Sequence, residues 1–128
     1  MRLPRLFIDK LELTIAVEAE RQSAVQERLS DASEHFPDQL TNPLERGRYR
    51  YRYALTVGNG SSITIQASHT SPPANYLKLE YSPERIGAEG AELLASYLRF
   101  VLGPQFRDDF YRGKANRVDI TLDVRRRP

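Results

Sequence analysis

Arg48, Arg50 and Arg52 recur at every second position of residues 48–57, interleaved with Tyr49, Tyr51 and Tyr53. In an extended chain alternate residues share a face and repeat every ~6.6 to 6.8 Å, a length on the order of the phosphate spacing along one DNA strand. Three guanidinium groups in such a row would follow consecutive phosphates of a single strand laid across a sheet. The competing reading is a solvated strand face whose arginines pair across the sheet with Glu12 or Glu80. A second set of candidates is acidic: Glu80, Asp119 and Asp123 share a polar strand face with Thr121. Carboxylate oxygens of this kind suit a divalent cation of the Mg or Mn type. Asp119 and Asp123 stand ~13 Å apart along a strand, too far to share one ion, whereas one of them with Glu80 on a neighbouring strand could do so. The plainer alternative is that these carboxylates only balance the arginines.

Tyr76, in phase with Lys78, is the aromatic placed to stack a base. Tyr49, Tyr51 and Tyr53 fall in phase with Leu55 and Val57 and read as core. His35 and His69 are isolated and form neither an H-x-H nor an H-E-x-x-H pattern, so both read as packed or surface residues. The G-A-E-G at residues 87–90 lacks the Lys-Ser/Thr of a phosphate loop, and no G-x-S-x-G is present. Cysteine is absent, which removes thiolate nucleophiles and metal sites and favours a reducing compartment. Without a membrane-length apolar run or a secretory start, the expectation is a cytoplasmic protein with no membrane contact.

The 128 residues, 40% hydrophobic and 28% charged, suit one domain spanning 1–128 with a single core. Net charge is +2, carried by sixteen arginines and three lysines. So small an excess does not identify a polyanion partner, and an arginine-rich count also follows from GC-rich coding; the distribution has to decide.

The elements that must hold these side chains follow from periodicity. Residues 7–17 alternate as a half-buried strand, with Asp9 anomalous in the apolar phase. Residues 18–36 change to helical spacing through Val25, Leu29, Ala32 and Phe36, and Pro37 stops the helix. Strands follow at 48–57 and 62–69. A two-residue Asn59-Gly60 turn would mix their faces, whereas a three-residue loop over Gly58-Asn59-Gly60 pairs Leu55 with Ile63 and Tyr53 with Ile65, with Gly60 left-handed. A strand at 76–81, a helix at about 88–102 ended by Gly103-Pro104, a polar stretch at 105–114 read as loop or short helix, and a strand at 117–124 complete the chain. The predicted class is α+β: a five-stranded, mainly antiparallel sheet with two helices on one face, ferredoxin-like with an inserted hairpin. Two helices cover one face only. The other would display Lys10, Glu12, Thr14, the three arginines, Thr64, Gln66, Lys78, Glu80, Asp119, Thr121 and Asp123.

Three segments then carry a resemblance: F-I-D-K-L-E-L-T-I at 7–15, K-L-E-Y-S-P-E-R-I at 78–86, and N-R-V-D-I-T-L-D-V at 116–124. In this order, with a helix between the last two, they resemble the amino-terminal half of the replication initiation factor family, the rolling-circle initiators of filamentous phages and some plasmids. The R-V-D-I-x-x-D stretch at Arg117, Val118, Asp119, Ile120 and Asp123 is the most specific part. The resemblance implies an endonuclease of DNA replication, whose sheet positions one strand for nicking by a tyrosine with a divalent metal, Mg or Mn. Tyrosine suits nicking because its phosphodiester stores the cleaved bond for rejoining. It implies Asp119 and Asp123 as catalytic motif residues and Glu80 as an active-site carboxylate; with the face read from strand phase, the expected metal ligands are Glu80 and Asp119 and the expected DNA contacts Arg48, Arg50, Arg52, Tyr76, Lys78 and Arg117. The tyrosine of family members is expected beyond residue 128, and Tyr111 is a poor substitute. Two readings stay open: the amino-terminal part of a nicking enzyme, or a phage-encoded module without the chemistry that acts on DNA or blocks a host protein.

Overall fold

The computed structural model describes residues 5–41, 49–69 and 75–123. Strand β1 (Arg5–Ala16) is followed by a 3-10 turn (Ala19–Arg21), helix α1 (Gln22–His35), a two-residue strand β2 (Leu40–Thr41), β3 (Tyr49–Thr56), β4 (Ser62–His69), β5 (Tyr76–Tyr81), α2 (Pro83–Leu102), α3 (Phe106–Tyr111) and β6 (Lys114–Asp123). The sheet order is β2-β3-β4-β5-β1-β6, with every neighbouring pair antiparallel. The fold is α+β, with five long strands and one short one among the described residues and helices on one face of the sheet. Among the described residues no helix is long and apolar enough to cross a membrane.

The helix-side face follows the alternation read from sequence. Leu13, Ile15, Leu55, Ile63, Ile65, Leu77 and Leu79 are buried there against Val25, Leu29, Ala32 and Phe36 of the α1 segment and Leu94, Leu98 and Val101 of α2. The β3–β4 hairpin has the register that the hydrophobic pattern selects, Leu55 opposite Ile63 and Tyr53 opposite Ile65. Gly60 closes the loop at φ +91°, where a side chain would be strained. Tyr53 is core, its hydroxyl donating to the Leu29 carbonyl at 3.1 Å.

Several boundaries differ from the sequence reading. Helix α2 begins at Pro83, because Ser82 caps it by accepting from the Arg85 amide at 3.2 Å and Pro83 fits the first helical position. Gly87, at φ +61°, kinks it. Within the polar stretch 105–114, residues 106–111 form α3, which docks through buried Phe106 and Asp109, and β6 begins at Lys114. Two register shifts mark bulges, at Asp9 in β1 and Asn116 in β6. The first explains Asp9: its extra residue changes the strand's phase and moves the carboxylate from the apolar run to the polar side. Gln66, expected on the displayed face, is buried. In register it lies between Arg52 and Lys78, whose long side chains have the reach to cover it.

Tyr97 is fully buried and its hydroxyl has no hydrogen-bond partner among the described residues. An unpaired buried hydroxyl costs about 1–3 kcal/mol, so Tyr97→Phe is expected to raise stability by about 1 kcal/mol. Burial also pushes the Tyr97 phenol far above its ordinary range. The unfolded chain therefore loses a proton near pH ~10 that the native state retains. Stability falls by up to ~1.4 kcal/mol per pH unit as pH rises above that value. Urea melts at about pH 8 and about pH 11 should show a smaller alkaline loss in Tyr97→Phe than in the parent. An equal loss in both would contradict this account.

Candidate nucleic-acid interface

The uncovered face can be laid out from strand register. Arg52, Gln66, Lys78 and Thr14 form one row across β3, β4, β5 and β1. Ala54, Thr64, Glu80, Glu12 and Arg117 form the next, reaching β6, and Lys10 opposite Asp119 follows at its edge. Tyr76 is on β5 in phase with Lys78. Arg52 and Asp119 thus share a face but sit at opposite corners of it, four strand spacings across and four residues along, ~23 Å apart. Arg50 occupies a position of β3 in phase with Arg52, while Arg48 lies outside the described residues. Asp123 ends β6 opposite Arg5.

The charges on this face are mostly matched, and by lysines. Lys78 Nζ lies 2.5 Å from Glu12 Oε1, and Lys10 Nζ lies 2.5 Å from Glu80 Oε1. Arg117 holds its strand neighbour Asp119 through Nη2 to Oδ2 at 2.9 Å and Nε to Oδ1 at 3.1 Å, which raises the guanidinium pKa above its ordinary value. The two glutamates offered as partners for the arginine row are thereby taken. Arg52 has no ion pair among the described residues, and its Nε, like Oε1 of its register neighbour Gln66, is buried without a hydrogen-bond partner among them. Such a donor pays the desolvation cost of burial and gains nothing from the protein.

Arg52 lines a concave pocket with Asp9, Lys10, Thr64, Glu80 and Arg85. Neither Arg85 nor Asp9 was assigned a role from sequence. Arg85 arrives there because Ser82 and Pro83 start α2 earlier than the helical periodicity does, and the S-P-E-R string is the signal that could have shown it. For Asp9 the signal was a carboxylate out of phase in a strand, a mark of a bulge. Three cations face two carboxylates in this pocket, beside the amino-terminal turn of a helix. That setting favours an anion.

The comparisons add no relative. No family model, curated protein or solved structure matches this chain. The site therefore rests on its own geometry.

That geometry does not fit a divalent cation on Glu80 and Asp119. Strand β1 lies between β5 and β6, so the two carboxylates are not on neighbouring strands as the sequence reading supposed. Their Cα atoms are two spacings apart across the sheet and two residues apart along it, ~12 Å. Lys10, paired with Glu80 and opposite Asp119 in register, stands between them. Among the described residues no three His, Asp or Glu side chains gather. Tyr111 lies on the helix side, lining a different groove with Tyr81, Ile86 and Phe110.

Proposed function

We propose that this domain binds single-stranded DNA along the uncovered sheet face, with Arg52 at the centre of the contact, in the cytoplasm. The observation that carries the reading is Arg52, half-buried and without an ion pair among the described residues, in one pocket with Lys10 and Arg85. A phosphate would give the Arg52 guanidinium the counter-charge it lacks, and the resemblance to rolling-circle initiators supports DNA as its source. Arg50, in phase on the same strand, extends the row, and Tyr76 offers a base a ring on the same face.

Binding of a fluorescent oligonucleotide across a salt series tests it. Arg52→Gln is expected to weaken binding roughly tenfold at low salt, the worth of one charge-assisted hydrogen bond. It should also flatten the log-log salt dependence by ~0.7, the share of one single-strand phosphate. Replacing Arg48, Arg50 and Arg52 together should remove up to ~2 units. Unchanged slope and affinity in Arg52→Gln would overturn the proposal.

The R-V-D-I-x-x-D stretch favours a second reading, nicking with Mg or Mn. It is separated by incubating supercoiled DNA with either metal. Nicking that is lost in Asp119→Ala supports the enzyme, and its absence beside intact DNA binding supports the binding module.

A further inference from the structure

Among the described residues the exposed large hydrophobic side chains are Ile8, Tyr111, Val118 and Ile120. They collect at one margin of the molecule. Val118 and Ile120 are on β6, Ile8 is opposite Ile120 on β1, and Tyr111 ends the helix that leads into β6. Strand β6 is the last of the sheet, pairing only with β1, so among the described residues its outer backbone N–H and C=O groups have no strand to meet. A long edge with apolar side chains is a template for another strand unless it is blocked. Here the bulge at Asn116 interrupts only the start of β6 and leaves residues 117–123 regular.

We propose that this edge pairs with a second copy of the same chain, β6 against β6 in antiparallel register about a two-fold axis at Ile120. The strand is self-complementary in this register, which argues for a second copy as the occupant. With Ile120 opposite its own copy, Val118 falls opposite Leu122 and Arg117 opposite Asp123, each twice by symmetry, while Asp119 falls opposite Thr121. Positions 118, 120 and 122 share one face and 117, 119, 121 and 123 the other. The pairing thus places apolar on apolar and cation on anion. Centring on Asp119 instead would set like charges against each other, a destabilising arrangement. An axis between antiparallel strands stands perpendicular to the sheet, so the helices of both copies stay on one side. The sheet becomes twelve-stranded, and the two uncovered faces form one continuous surface.

Sedimentation equilibrium of the whole chain from about 1 to about 500 µM tests this. The mass is expected to rise towards twice that of the chain. Ile120→Lys, which sets two ammonium groups on the axis at a position 61% exposed, should raise the dimer dissociation constant at least ~10-fold. Arg117→Glu should weaken the dimer similarly, and the double variant Arg117→Glu with Asp123→Arg should restore it, with circular dichroism confirming the fold of each. A chain that stays monomeric, a dimer indifferent to Ile120→Lys, or a charge exchange that fails to restore association would each overturn the proposal. None of these results bears on Arg52, so the DNA reading stands or falls separately.

Discussion

Asp109→Asn is expected to cost the fold about 3 to 5 kcal/mol, the usual penalty for removing one member of a buried ion pair. The domain's total stability is expected to be only about 5–15 kcal/mol. Asp109 is 7% exposed and receives two bonds from Arg21, Nη1 to Oδ1 at 3.0 Å and Nη2 to Oδ2 at 2.7 Å. The same Nη2 donates to the Leu102 carbonyl at 2.7 Å. One guanidinium thus ties the turn after β1 to the end of α2 and to α3, and the carboxylate raises its pKa above the ordinary arginine value. Asparagine keeps the volume but leaves the cation without its counter-charge in a site mostly closed to water. Replacing both partners with apolar residues should recover most of the loss, because the desolvated charge then disappears as well. Urea unfolding measures both; a single-variant loss below about 1 kcal/mol would contradict the assignment.

Gly90→Ala is expected to destabilise by about 1–3 kcal/mol, although alanine in an ordinary helix interior gains about 1 kcal/mol over glycine. The sign reverses because the kink at Gly87 folds the first turn of α2 back over residue 90. A Cβ there would collide with the Cβ of Ile86 and come within 3.2 Å of Val57 Cγ2. Ile86 is buried, and the atom struck is next to its backbone, so the cap turn itself would have to move. That turn carries Arg85 into the Arg52 pocket. Gly90→Ala should therefore also weaken oligonucleotide binding at concentrations where the variant is fully folded. A variant as stable as the parent would show that the kink yields easily.

The layers of this fold were legible because burial on one side imposes simple periods on the chain. The β3–β4 register followed from matching Leu55 with Ile63, since a slip of one residue would have turned every apolar group to water. Strands β4 and β5 have the bounds that alternation sets. What alternation cannot express is an extra residue: the bulge at Asp9 left a local sign, an acid in an apolar phase, while the bulge at Asn116 left none and hid the start of β6 at Lys114. Long-range pairing was equally hidden. Nothing near Arg21 points to Asp109, 88 positions away.

For the site, the shared face of Arg52, Glu80 and Asp119 was readable from strand phase, but the distances across it depended on strand order. Placing β1 between β5 and β6 separated the two carboxylates and put Lys10 between them. The same order gave Glu12 and Glu80 to lysines and left Arg52 without an ion pair among the described residues. Whether a given arginine is matched depends on which strands meet, and periodicity carries no information on that.

Backbone amide shifts of the isotope-labelled protein, followed while a short single-stranded oligonucleotide is added, test the central claim most directly. The largest changes are expected at Arg52, Thr64, Gln66, Lys78 and Glu80 on the uncovered sheet face and at Arg85 beside it, with α1 unmoved. Changes confined to the helix side, or none at concentrations that saturate binding, would contradict it.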